Sequence, residues 1–176
     1  MSAAAGAAAL LSGRPELWDV YDRAGRRTGR RIERTASMAP GDFHLAAELW
    51  LSDADGRLLI QQRAATRRVL PGVWAMTTGC MLAGEASRAG VLREAREELG
   101  LSLPDEALIF LERIVRPEAG TLWDLWAARL SVRAPALRLD PVEVADARWI
   151  TPDALRERIF VYPEMGRILA RWETLG

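Results

Sequence analysis

Apolar and polar positions change rhythm several times along the chain, and each change predicts an element. ELWDVYD, RAGR and TGRRIERT read as a short hairpin turning near Gly25. HLAAELWLS (44–52), the turn SDADG and RLLIQQRA (57–64) read as a second antiparallel pair. LPGVW predicts a loop that enters a short strand, WAMTT. Residues 87–99 switch to helical periodicity, with Ala89, Leu92, Ala95 and Leu99 on one apolar face and Gly100 as the stop. ALIFLERIV (107–115) and TLWDLWAARLSV (121–132) are long apolar strands, and ARWI (147–150) is a shorter one. Thr151 and Pro152 open a helix with a capping hydroxyl and a first-turn proline. A last amphipathic helix is expected over residues 163–175. Strands and helices interleaved with hairpins predict the α/β class with a mixed sheet.

Composition narrows the chemistry. Formal charge is balanced, 24 basic against 24 acidic residues, which gives no global pull toward nucleic acid or anionic membrane. Neither a nucleic-acid polymer nor a membrane is therefore expected as partner, and a cytoplasmic location is the default. The absence of lysine excludes Schiff-base and P-loop lysine chemistry. One cysteine, Cys80, excludes an intramolecular disulfide and a cysteine-rich zinc site. With one histidine, His44, a metal centre would be built mostly from oxygen, which favours magnesium, manganese or calcium over zinc. Residues 1–14 read as a flexible Ala-rich segment: their apolar run has no basic residue before it and is too short to span a bilayer. Residues 15–176 are expected to form one domain, and nothing in the pattern sets an oligomeric state.

The stretch REAREELG (93–100) poses a physical problem. Glu94, Glu97 and Glu98 are helix neighbours, and like charges at this spacing repel by about 0.2–0.5 kcal/mol per pair. A solvated acidic face softened by Arg93 and Arg96 is one reading; a bound cation is the other.

The flanks favour the cation. Gly79, five residues, Glu85, seven residues, then Arg93-Glu94-Ala95-Arg96-Glu97-Glu98-Leu99-Gly100-Leu101 resembles the signature of the Nudix hydrolases, GX5EX7REUXEEXGU. Ala95 is the one departure, standing where the pattern has a bulky aliphatic residue. The resemblance implies an α/β/α sandwich with a mixed sheet. It also implies a hydrolase that cleaves a diphosphate bond in a small molecule with Mg2+ or Mn2+. Carried over by position, Glu94, Glu97 and Glu98 match the metal ligands, and Glu94 is also placed to orient or deprotonate the attacking water. Arg93 would steer a glutamate by ion pairing, and Glu85 is a candidate outer ligand. Gly79 and Gly100 would allow tight turns at the ends of the motif.

The wider sequence, roughly 16–160, looks like the isopentenyl-diphosphate-isomerase-like branch of that family. Its isomerases carry a catalytic cysteine where this chain has Thr78, and a threonine hydroxyl is far too weak an acid to protonate an alkene. They also tend to carry a ligand histidine at the place of Cys80, and a histidine pair reduced here to Ser37 and His44. Hydrolysis of a nucleoside diphosphate linked to another moiety is the first expectation. Isomerisation and a catalytically idle nucleotide-binding regulator are the alternatives.

Several other residues carry two readings. Asp124 interrupts an apolar strand on the face of Leu122 and Trp126: it either faces a site, positioning substrate or adding a metal ligand, or reaches the sheet surface. Glu143 is a weaker case of the same kind. Arg63 either meets substrate phosphate or forms a surface ion pair. His44 is expected as a hydrogen-bonded structural residue and Cys80 as a buried thiol. Most of the seven tryptophans are expected in the core, where large aromatics dominate.

Overall fold

The computed structural model describes residues 15–157 and 163–175; the segment 1–14, expected to be flexible, lies outside the described residues. The first hairpin joins β1 (Leu17–Tyr21) to β2 (Arg27–Glu33) as a separate two-stranded sheet, with Gly25 at φ 79° in its turn. The other seven strands form one sheet. β3 (His44–Ser52) and β4 (Leu58–Arg63) are in register at Ser52 and Leu58 and then splay. Into that gap run β5 (Trp74–Ala75), paired with β4, and β6 (Thr77–Cys80), paired with β3. β8 (Thr121–Arg129) lies parallel to β3, β7 (Ile109–Arg116) antiparallel to β8, and β9 (Val144–Ile150) antiparallel to β4. The sheet is mixed, as expected.

Both faces of the sheet are covered. Helix α1 (Ser87–Leu99) packs Val91, Ala95 and Leu99 against Leu45, Ala47, Leu49, Leu59, Leu122 and Trp126. On the other face, α2 (Pro152–Arg156) and α3 (Met165–Glu173) set Leu155, Met165, Ile168 and Leu169 against Trp50, Leu58, Ile60 and Leu125. This is the α/β/α sandwich. Burying each large aliphatic of these layers contributes about 1.5–3 kcal/mol, so the two cores hold the helices to the sheet. The Thr151 hydroxyl caps α2 by accepting from the Ala154 amide at 3.2 Å.

Some boundaries differ from the sequence reading. The strand expected over 107–115 starts at Ile109, because Asp105–Ala107 form a 3-10 turn after Pro104. The strand expected over 121–132 stops at Arg129, and the last strand begins at Val144 rather than residue 147. The C-terminal helix spans Met165–Glu173, shorter than residues 163–175. The buried line of α1 is also offset: Ala89 is exposed and Leu92 only half-buried, while Ser87, Val91, Ala95, Glu98 and Leu99 face inward. A methyl gains little from burial, so Ala89 does not fix the helix rotation; Val91 and Leu99 do. Among the described residues no helix is long and apolar enough to cross a membrane.

Candidate active site

The loop and helix that carry the glutamates are held from three sides. At its start, the loop before α1 hydrogen-bonds the first hairpin: the Ala83 amide donates to the Leu17 carbonyl and the Gly84 amide to Asp19, both at 2.7 Å. At its end, Gly100 adopts φ 69°, its amide and that of Leu101 bonding back to Arg96 and Ala95. The Arg138 and Asp140 amides then take up the Leu99 and Glu98 carbonyls. The helix terminus that the sequence assigned to Gly100 is therefore closed by its own backbone and by the chain leading to β9.

The rotation of α1 lays its polar side chains across the sheet. Gly79 is in mid-strand, opposite Ala47, and not in the turn expected of it. Its requirement for glycine comes from close approach: a Cβ there would lie 2.2–2.4 Å from the Glu94 side chain. One turn on, Glu98 is 4% exposed and meets Gln61, whose Nε2 donates to Oε2 at 2.6 Å. Thr77 in turn donates to Gln61 Oε1 at 3.1 Å. Glu94 and Glu98 thus point toward the sheet, not outward from it as the apolar-face reading implied. The sheet accepts them because it presents a missing side chain at residue 79 and polar groups at Gln61 and Thr77.

Arg93 ties the carboxylates together. Its guanidinium grips both oxygens of Glu85 at 2.8 and 2.9 Å, and reaches Glu94 at 2.7 Å and Glu97 at 3.2 Å. Glu85 also accepts from the Leu82 amide at 3.0 Å, so it serves here to hold Arg93 and the loop. Burial lifts the Glu94 carboxyl to about 7, against the lowering effect of Arg93. Burial lifts Glu98 to about 8, with the neighbouring Glu94 charge adding to the rise and Gln61 opposing it.

Two further groups approach this line. Arg63, at the end of β4, donates to the Val69 carbonyl at 3.0 Å, and its positive charge acts on Glu98. Glu143 pairs with Arg67 at 2.7 Å, and its charge is felt by both Glu94 and Glu98. Gln61, Thr77 and Arg67 were not singled out from the sequence. A signal for Gln61 was there: Leu59, Gln61 and Arg63 alternate onto one face of β4, so a polar residue follows a core position toward the helix.

The remaining candidates lie elsewhere. Asp124 is 2% exposed and is bound by Arg113 at 2.6 and 2.9 Å and by the Ser87 hydroxyl at 2.5 Å. Ser87 starts α1, about 10 Å along the axis from Glu94, so Asp124 stands at the far end of the helix. It is buried with its charge met by Arg113, where the structural reading had it reach the sheet surface. His44 donates through Nε2 to Thr121 Oγ1 at 3.1 Å, since the Thr121 proton goes to the Ala119 carbonyl, and its ring lies tilted against Trp18 with centroids 4.2 Å apart. Burial lowers its pKa to about 4. Cys80 is half-buried, and desolvation pushes its thiol up to about 11, the opposite of an activated nucleophile. Of the tryptophans, Trp50 and Trp126 are buried and the others half-buried, so none stands free on the surface.

The donor set suits a hard divalent cation. Three carboxylates supply oxygen and no nitrogen or sulfur ligand joins them, the preference of magnesium and manganese. Glu97 Oε1 is buried with no hydrogen-bond partner, a cost that a cation would remove. Among the described residues no three such side chains are gathered closely enough to hold a metal as they stand, and Arg93 supplies the positive charge between Glu94 and Glu97.

Comparison with known proteins places this geometry. The family model described as NUDIX domain matches residues 42–172. The chain is 33% identical over 141 residues to an uncharacterized Nudix hydrolase of Listeria innocua, covering 80% of this chain and 82% of the relative. It is 32% identical over 148 residues to the isopentenyl-diphosphate Delta-isomerase of Nocardia farcinica, covering 82% and 85%. Its fold is similar to the cocrystal structure of a NUDIX domain of Shewanella oneidensis complexed with ADP ribose. There the TM-score is 0.63 at 17% identity, over 82% of this chain and 94% of that one.

Proposed function

The chain belongs to the Nudix family, as a Nudix hydrolase acting on diphosphates, and from that premise we propose a Mg2+- or Mn2+-dependent enzyme that cleaves a phosphoanhydride bond in a small molecule. Within that class the proposed substrate is a nucleoside diphosphate linked to another moiety, and residues 15–176 act as one domain. The ADP ribose bound by the Shewanella domain is a compound of that type and supports the choice. The observation that carries the reading is Glu94 and Glu98 turned toward the sheet beside Glu97, which has a buried and unpartnered carboxylate oxygen.

Glu94, Glu97 and Glu98 would hold the cation. Bound there, it would supply Lewis-acid stabilisation of the phosphate charge and a more acidic water. Glu94, ionised in the loaded site, takes the proton from the attacking water as general base. Arg93, anchored by Glu85, keeps Glu94 oriented for that transfer. Arg63 faces the developing negative charge on the phosphate oxygens. Isomerisation lacks its acid: the Thr78 hydroxyl already donates to the Met76 carbonyl at 3.1 Å, and it is too weak to protonate an alkene. The complete carboxylate set supports turnover over idle ligand binding.

The test measures product release from nucleoside di- and triphosphates, nucleotide sugars, dinucleoside polyphosphates and isopentenyl diphosphate, with and without Mg2+. Cation-dependent cleavage is expected. Glu98→Gln should lower it by on the order of a hundredfold or more, the range for losing one electrostatic support of a transition state. Rearranged isopentenyl diphosphate, or binding of a nucleotide without cleavage, would overturn the reading.

A further inference from the structure

We propose that Gln61 and Thr77 are positioning residues that orient the carboxylate of Glu98 for cation binding, an inference that rests on reading Glu98 as a ligand. The three side chains form a relay buried between α1 and the sheet: Gln61 and Thr77 are each 2% exposed and Glu98 is 4% exposed. Thr77 Oγ1 donates to Gln61 Oε1 at 3.1 Å, and Gln61 Nε2 donates to Glu98 Oε2 at 2.6 Å.

The order of donors is what gives the relay its function. A glutamine amide has one donating and one accepting end of nearly the same shape, so its neighbours decide which end faces where. In the opposite orientation Gln61 Oε1 would face an oxygen of Glu98 in its ionised, cation-binding form, acceptor against acceptor. The Thr77 proton satisfies Oε1 and leaves the NH2 end turned toward Glu98. Oε2 is thereby engaged, and the carboxylate plane is fixed with its other oxygen left for a ligand.

Both supports come from the sheet, Gln61 from β4 opposite Ala75 and Thr77 from β6 opposite Leu49. They are held by strand pairing and do not follow the rotamers of the helix they brace. Glu98 is the glutamate that receives this support from the sheet, whereas Glu94 and Glu97 are held by Arg93. A ligand oriented by a buried hydrogen bond binds its metal more tightly, and loss of such a partner typically costs 10–100-fold in affinity.

The experiment is Mn2+ binding to the chelator-stripped full chain without substrate, read by the electron paramagnetic resonance of free Mn2+. Thermal midpoints in EDTA are recorded alongside. Gln61→Met keeps the length and loses the donor; it should weaken Mn2+ binding by about tenfold or more. Thr77→Val keeps the shape and loses the hydroxyl, and should weaken binding severalfold, while Thr77→Ser should stay within about twofold of the native chain. That rescue separates orientation from packing, since serine removes a methyl and valine does not. If Gln61→Met fails to fold, the Thr77 pair decides alone. Equal Mn2+ binding by the native chain and Glu98→Gln overturns the parent reading of Glu98. A normal loss in Glu98→Gln, with Gln61→Met and Thr77→Val binding like the native chain, overturns the relay only.

Discussion

Gly79 shows how one missing side chain sets the site. Its position in the motif was legible in the sequence, but its reason was not: it stands in a strand, and the space its Cβ would take is filled by Glu94. Gly79→Ala should therefore displace Glu94 and lower turnover on the order of a hundredfold, the cost of misplacing a reacting group by about an ångström. Because the clash falls on a movable side chain and φ is not positive, folding should survive; a normal rate in a folded variant would refute the close-approach argument. Asp124 gives the contrasting case. Asp124→Ala removes the shared acceptor of Arg113 and Ser87 and should cost about 2–3 kcal/mol in urea unfolding, below the full cost of a broken buried pair because Arg113 reaches solvent. Mn2+ affinity of the folded variant should be unchanged; a drop of tenfold or more would return Asp124 to the substrate and metal candidates.

At the scale of elements, α1 was the most readable part of the chain. Its span, Ser87–Leu99, and its stop at Gly100 agree with the sequence reading, because helical periodicity and a left-handed cap are local properties. Its rotation about its own axis was misread, because that depends on the partner surface. Ala89 turned out exposed and Glu98 buried, since the sheet offers Gln61 and Thr77 to receive a carboxylate. The first hairpin was legible from its turn, but its service to the site was not. Only the fold shows Asp19 and Leu17 holding the loop that leads to Glu85.

For the whole molecule, the buried carboxylates make stability depend on pH. Glu94 and Glu98 have folded-state pKa values raised to about 7 and about 8, so the folded state favours their protonated forms. Their contribution is fully present below the ordinary 4.5 and is lost as pH rises through those values. His44, lowered to about 4 from 6.5, contributes fully above 6.5 and loses its contribution as pH falls through 4. Two carboxyls outweigh one imidazole above pH 4.5, so the thermal midpoint in EDTA should be highest at about pH 4–5 and fall toward pH 8. Saturating Mg2+ should flatten the alkaline limb, because a bound cation favours the ionised carboxylates. A metal-free midpoint that holds level or climbs between pH 6 and 8 would rule out burial of both groups.

The sequence by itself determined whatever depends on neighbours along the chain. That covers the alternation of the strands, the span and stop of α1, the capping of α2 and the spacing of Gly79, Glu85, Arg93 and the three glutamates. Spacing was enough to name the family because its signature lies within one loop and one helix. Tertiary structure decided what those residues face. The splaying of β3 from β4 admits β5 and β6 between them, and this places Gly79 beneath Glu94 and Gln61 beside Glu98. The same packing sends Asp124 to the far end of the helix and desolvates the Cys80 thiol, which raises its pKa. Partners brought together from distant strands leave no periodic trace in the chain, because the contact is fixed by sheet order and helix rotation and not by sequence separation.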